Sequence, residues 1–140
     1  MNSKKPFEEF YNYKYWRDIQ RNQLTISSNI IFTFCVAAVG FTINYLLNEN
    51  KNLCPIINYF FYLSILMYFI SVFFYLLMNI SKLIDYQKTV KLILKEVSFD
   101  KISEKTKILG KITWIFFILE TTFAFLGFLF SIIIFKIIIF

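Results

Sequence analysis

Glu120 is the residue whose type and position most clearly invite chemistry. It lies inside an almost continuously apolar run, residues 112–140, which is long enough to cross a bilayer with some tilt. A carboxylate that faces lipid is costly, so this side chain must be protonated, paired or turned toward protein. No basic residue lies at its depth, so we expect neutral partners or the same residue of a second copy. The candidate partners are Tyr68, Tyr75, Thr33 and Asn44.

The residues that share a helix face with Glu120 leave two roles open for it. At about 100° per residue, one narrow face collects small and polar side chains. They are Thr113, Glu120, Ala124, Gly127 and Ser131. Such a stripe indicates helix contacts or a water-lined cavity, because lipid-facing positions have no reason to collect these residues. Glu120 is then either a buried, protonated packing residue or part of a cation-selective constriction in a ring of subunits.

Other chemistry is hard to place in this sequence. There is no histidine, the two cysteines lie in different parts of the chain, and the three glycines form no phosphate-binding loop. We therefore expect no catalytic residues, no metal and no cofactor, and we expect that the protein is not an enzyme. The acids outside the apolar runs, including Asp85, alternate with bases and are interpreted as a solvated face. Arg17, Asp18 and Arg21 are interpreted as a local ion-pair cluster.

Composition indicates the elements that must position Glu120. Hydrophobic residues make up 58% of the 140 residues, and the mean hydropathy is +0.60. We predict an all-α polytopic membrane protein of one domain with transmembrane helices at 24–47, 55–80 and 112–135. The first two spans carry stripes like that of the third. Their members are Asn29, Thr33, Ala37, Gly40 and Asn44 in the first, and Ser64, Tyr68, Ser71, Tyr75 and Asn79 in the second.

These stripes are interpreted as helix-packing surfaces, with a pore wall as the alternative. Three helices make a thin bundle for burying so many polar groups, which favours a homo-oligomer. The residues predicted to line a pore or a helix contact are Glu120, Asn29, Thr33, Asn44, Ser64, Tyr68, Ser71, Tyr75, Gly127 and Ser131.

The segments outside the spans are predicted to be helical too. Residues 1–23 combine charges with closely spaced aromatic residues, which predicts an interfacial helix with its rings at headgroup level; a base-stacking surface is the alternative. Residues 81–111 predict a cytoplasmic helical hairpin that breaks at 98–100 and whose second helix ends or bends at Gly110. Its apolar stripe is a candidate surface for a partner protein. The stripe consists of Leu83, Tyr86, Val90, Ile93 and Val97.

The distribution of basic residues predicts the topology. Five Lys or Arg precede the first span and eight lie in the segment 81–111, whereas only Lys51 lies between the first two spans and only Lys136 near the end. The positive-inside rule then places the N-terminus and the long segment in the cytoplasm and the C-terminus outside. Lipid headgroups explain the net charge of +6, so we expect a bilayer partner and no nucleic acid.

Several short motifs resemble a broad set of small bacterial three-span membrane proteins. The motifs are Tyr15-Trp16-Arg17-Asp18 with Gln20, Ser28-Asn29, Ala37, Ala38, Gly40-Phe41, Leu109-Gly110-Lys111, Thr113-Trp114, Phe117 and Gly127. The resemblance implies a bacterial inner membrane and no catalytic residues. At the position of Glu120 it implies a polar, uncharged residue, so the acid is a departure from the pattern. Architecturally similar proteins serve as membrane effectors beside phage-defence modules.

These observations give two hypotheses of different classes and one variant. The first is a non-enzymatic, oligomeric membrane effector that perturbs membrane permeability, in antiviral defence and under control of a cytoplasmic partner or ligand. The second is a small membrane anchor that recruits a cytoplasmic partner through the stripe in 81–111. The variant is a small ion channel.

Overall fold

Three long α-helices make up the described chain. The computed structural model describes residues 5–49, 55–94 and 99–139, with side-chain surroundings described for 15–48, 55–91 and 107–137. Helix α1 is Lys5–Glu49, α2 is Pro55–Leu94 and α3 is Phe99–Ile139. No strand occurs within those ranges. All three helices are long and apolar enough to cross a membrane, which confirms the prediction of an all-helical, multi-pass membrane protein.

Each helix is longer than a bilayer requires. The helices contain 45, 40 and 41 residues, and at about 1.5 Å per residue each is roughly twice the ~30 Å of the hydrocarbon core. The excess consists of the polar segments at 5–23, 81–94 and 99–111. As predicted, Pro55 begins α2 and residues 81–94 continue it beyond the apolar part, because nothing in that sequence stops a helix.

Two predicted boundaries do not occur. Helix α1 runs unbroken through residue 23, so the N-terminal segment and the first span are one helix. Helix α3 runs unbroken through Gly110, which therefore ends no second helix. One glycine costs a helix only about 1 kcal/mol, which is too little to interrupt it without a proline or a competing cap. Of the predicted break at 98–100, residue 98 lies outside the described residues, and Phe99 and Asp100 already belong to α3.

The core lies along the α2–α3 interface. Buried residues of α2 and of α3 recur at intervals of three, four or seven. They are Phe61, Ser64, Tyr68, Ser71, Met78, Ser81 and Asp85 in α2, and Thr113, Glu120, Ala124, Gly127 and Ile134 in α3. This spacing is typical of helices that wrap around each other as a left-handed coiled coil. Large apolar side chains such as Phe69 and Phe73 face outward, as lipid contact requires.

Gly127 of α3 lies directly against the Tyr68 ring of α2. A Cβ atom at this position would lie 2.9 Å from Cδ1 and from Cε1 of the Tyr68 ring. That ring is 1% exposed, and its hydroxyl lies 3.2 Å from Ser131 Oγ, so it is held on both sides. Only a residue without a side chain lets the Tyr68 ring lie this close to the backbone of α3.

The first prediction concerns this contact. Gly127→Ala should destabilise the fold by about 1–3 kcal/mol, because the added methyl overlaps a buried ring that cannot move freely. Gly110→Ala is the matched control: no atom of the described residues lies within 4 Å of its Cβ position, so it should be neutral or slightly stabilising. The measurement is unfolding in mixed micelles with increasing SDS, followed by near-UV circular dichroism. Equal midpoints for the two variants would contradict the packing described here.

Candidate functional site

The buried carboxyl of Glu120 lies where all three helices meet. The residue is 0% exposed, and the Ser28 Oγ of α1 lies 2.7 Å from Oε2 and 2.9 Å from Oε1. Its main-chain oxygen accepts a hydrogen bond of 2.8 Å from Ser71 of α2. Ser71 in turn accepts a long contact, 3.5 Å, from the Cys35 thiol of α1. The acid predicted to be hidden from hydrocarbon is therefore enclosed by protein.

The two contacts to Ser28 restrict the chemistry of Glu120. A neutral carboxyl satisfies both, because one oxygen can donate to the serine while the other accepts from it. A carboxylate can only accept, and a single serine hydroxyl offers one proton. Among the described residues, no Lys or Arg forms an ion pair with Glu120. The site can hold or release a proton, and within the described ranges it contains no group of three metal-ligating residues.

Further hydroxyl groups join α2 to α3 on either side of Glu120. Ser64 donates to the main-chain oxygen of Gly127 at 3.0 Å and lies 2.8 Å from the hydroxyl of Ser131. On the other side of Glu120, toward the end of the bundle that carries the basic segments, Ser81 Oγ lies 3.0 Å from Thr113 Oγ1. The stripes predicted for the second and third spans thus face each other, as a helix contact requires.

The stripe predicted for the first span lies on the opposite side of α1. Asn29, Thr33 and Asn44 are exposed, as are Ala37 and Gly40 between them. Thr33 donates to the main chain of its own helix at 2.8 Å, and Asn44 accepts from Asn48 at 3.3 Å. Asn29 alone of the three reaches α2, accepting a 3.0 Å hydrogen bond from Tyr75. Within one chain this stripe faces outward.

A different set of α1 residues faces the other two helices. Leu24, Ser28, Cys35 and Thr42 are buried. Ser28, Cys35 and Thr42 are seven residues apart. Thr113, Glu120 and Gly127 in α3 have the same spacing, and this shared seven-residue period is the signal in the sequence that would have indicated the correct face of α1. The predicted partners of Glu120 were wrong, because its side chain contacts Ser28 and none of Tyr68, Tyr75, Thr33 or Asn44.

A second buried acid lies nearer the basic segments. Asp85 is 6% exposed, and its Oδ2 lies 2.6 Å from Arg21 Nη2 and 4.0 Å from Arg17 Nη2. Asp85 was predicted to be solvated, and Arg17, Asp18 and Arg21 were predicted to pair locally. Both predictions were wrong, because Arg17 and Arg21 pair with Asp85 of another helix, and spacing in the sequence does not reveal such a pair. One turn further, Lys82 Nζ donates to Thr25 Oγ1 at 3.0 Å.

The stripe predicted to bind a partner is described in part. Leu83 is 60% exposed, Tyr86 66% and Val90 39%. The side chain of Ile93 and the whole of Val97 lie outside the described residues.

The second prediction tests the serine at the helix junction. Ser28→Ala should lower the free energy of unfolding by about 1–2 kcal/mol, because it leaves a buried carboxyl without its side-chain partner. Ser27→Ala is the matched control, since Ser27 is the exposed neighbour in the same helix turn, and it should change stability by less than about 0.5 kcal/mol. Detergent unfolding curves of both variants provide the measurement. A loss of equal size in both would contradict the assigned contact.

No protein-family model, curated protein or solved structure matches this chain.

Proposed function

We propose that the protein is a non-enzymatic, oligomeric membrane effector that perturbs membrane permeability. The observation that carries the proposal is the placement of Glu120. Its carboxyl is fully buried at the junction of three helices, and the helix that covers it, α1, holds it through Ser28. An acid placed in a membrane interior at such a cost serves function more readily than stability.

The way in which α1 is attached supports a closed state that can open. Helices α2 and α3 pack along most of their length, whereas α1 packs far less extensively on either. Several of its contacts are polar, including Ser28 to Glu120 and Arg21 to Asp85, and we call these two the latch contacts. Polar contacts can be exchanged for other polar partners at little cost. Displacement of α1 would uncover Glu120 and the serines of α2 and α3.

The outward stripe of α1 supports assembly of several copies. At about 100° per residue, its members fall within a sector of roughly 80° that lies nearly opposite the buried Ser28 and Cys35. Asparagine side chains such as Asn44 are costly against lipid, and a second copy of the same stripe offers amides and close backbone approach. In such an assembly the stripe would become a helix contact or a pore wall.

We place the protein in a bacterial inner membrane with the basic ends of the helices in the cytoplasm. The N-terminal part of α1 would then lie at the cytoplasmic headgroup level with its aromatic residues, and the C-terminus would lie outside. By the resemblance of its motifs, the setting would be antiviral defence, with a cytoplasmic partner or ligand as the trigger. The narrower alternative is a small ion channel that uses the same polar interior.

A membrane anchor is the second candidate function. It is favoured by the exposure of Leu83 and Tyr86, two large side chains on the polar extension of α2. Adjacent exposed apolar side chains outside the bilayer indicate a contact surface for another protein. An anchor needs no movement of α1, so the permeability assay below separates the two candidates.

The third prediction is that breaking the latch contacts opens the protein without its trigger. The variant Arg21→Ala combined with Ser28→Ala should raise the ratio of open to closed protein about 5–30-fold. This factor corresponds to a loss of about 1–2 kcal/mol of stabilisation of the closed state. The measurement uses proteoliposomes with a potassium gradient, in which a valinomycin-imposed potential is followed with a potential-sensitive dye. The potential should decay several times faster than with the wild type.

The control variant is Asp18→Ala combined with Ser27→Ala, because both residues are exposed neighbours of the latch residues. It should keep the potential as the wild type does. Adding Glu120→Gln to the open variant should reduce its preference for cations, since the acid would line the uncovered path. A latch variant that is inserted and folded but holds the potential would contradict the proposal and favour the anchor.

The fourth prediction concerns assembly through α1. Gly40 is exposed and no atom of the described residues lies within 4 Å of its Cβ position, so Gly40→Phe fits the single chain but blocks close approach of a neighbour. It should reduce the assembled mass measured by light scattering in mild detergent. Leu66→Phe is the control, since Leu66 is a lipid-facing residue of α2 that is 53% exposed. Unchanged mass for Gly40→Phe, or a monomeric wild type, would contradict this interface.

A further inference from the structure

A cleft of about 1100 Å³ opens between the three helices near their basic segments. It is walled by residues 16–24 of α1, 82–86 of α2 and 107–115 of α3. These segments come from distant parts of the sequence, and their basic residues therefore lie at one end of the bundle. The cleft is separate from Glu120, which does not line it.

The charge of the cleft favours an anion. Among the described residues, five cationic side chains line it against a single carboxylate, that of Asp85. The cations are Arg17, Arg21, Lys82, Lys107 and Lys111. Arg21 forms a close ion pair with Asp85 at 2.6 Å. Arg17 lies 4.0 Å from the same carboxylate oxygen, so its charge is less fully paired. A site with this excess of cationic donors is suited to a phosphate group.

Asp85 adds a second requirement. Its side chain is 9% exposed, and all of its described contacts to basic residues use Oδ2. Oδ1 is buried and has no hydrogen-bond partner among the residues that the structure describes. A buried acceptor without a donor costs free energy, so a ligand that brings a hydroxyl or an amine hydrogen to this atom would be favoured over one that does not. The ligand chemistry is thus a phosphate with a donor close by.

The rim of the cleft indicates where such a ligand comes from. Trp16 is 62% exposed and Trp114 is 50% exposed, and Ile115 beside it is 54% exposed. Trp114 and Ile115 lie at the start of the long apolar run of α3, the depth at which tryptophan meets lipid headgroups. A cleft that is cationic within and aromatic and apolar at its rim fits a molecule with a charged head and acyl chains.

We propose that this cleft binds the headgroup of an anionic phospholipid, with the phosphate on Lys107, Lys111 and Arg17 and a headgroup hydroxyl on Asp85. Phosphatidylglycerol has this chemistry, since its phosphodiester carries a glycerol with two hydroxyl groups. The site does not depend on whether the protein forms a pore.

The test is native mass spectrometry of the full chain in mild detergent, with lipid retention measured during titration. Phosphatidylglycerol should be retained in preference to phosphatidylcholine. It should also bind about fivefold more tightly than phosphatidylethanol, which has the same charge but no hydroxyl for Asp85. Glycerol phosphate, added as a soluble competitor, should displace little lipid.

The variant Lys107→Gln with Lys111→Gln should weaken phosphatidylglycerol retention about tenfold. The matched control is Lys88→Gln with Lys91→Gln, which removes the same charge from exposed positions of α2 that do not line the cleft. The control should retain lipid as the wild type does. Equal loss in both variants, or no preference for phosphatidylglycerol over phosphatidylethanol, would overturn the proposal. Full displacement by glycerol phosphate would overturn the choice of a lipid over a soluble phosphate.

Discussion

One constraint organises this bundle: a carboxyl in the middle of an apolar helix must not meet hydrocarbon. Glu120 satisfies this constraint through contacts to both other helices. Its carboxyl contacts the Ser28 hydroxyl of α1, and its main-chain oxygen accepts a hydrogen bond from Ser71 of α2. Both partners are small, and small residues are what let membrane helices approach closely enough for a short contact. The need to enclose one polar group therefore also sets the residue types at the place where the three helices meet.

The two contacts of Glu120 belong to interfaces of different character. Helix α2 is fixed to α3 by a row of hydroxyl contacts and by the close approach at Gly127, where even a methyl group would overlap Tyr68. Helix α1 approaches this pair with fewer packed residues. Within the described part of the chain, its outer face carries asparagines that no other helix covers, apart from the bond of Asn29 to Tyr75. The described chain is thus an α2–α3 pair with a third helix, α1, that has polar residues on two faces. One face contacts the pair, and the other is exposed.

Sequence patterns predicted the helices and the inward faces of α2 and α3, because long apolar runs and stripes such as Ser64, Ser71 and Gly127 are local properties. They did not predict the orientation of α1. That helix carries two sets of small and polar residues on opposite faces, and periodicity alone cannot decide which set meets Glu120. The pairing of Arg21 with Asp85 was hidden for a related reason: it joins residues 64 positions apart. Only the placement of α1 against α2 brings them together.

Successive turns of α1 link the basic cleft to the buried acid. Arg21 reaches Asp85, Thr25 accepts from Lys82, and Ser28 contacts Glu120, so one face of α1 carries all three contacts. A helix moves as a rigid element over so short a distance, and displacement of one contact therefore acts on the others. A phosphate on Arg17 of α1 and on Lys107 and Lys111 of α3 would hold that same face of α1 against α3. By linkage, whatever favours the covered acid would then strengthen binding in the cleft by the same factor.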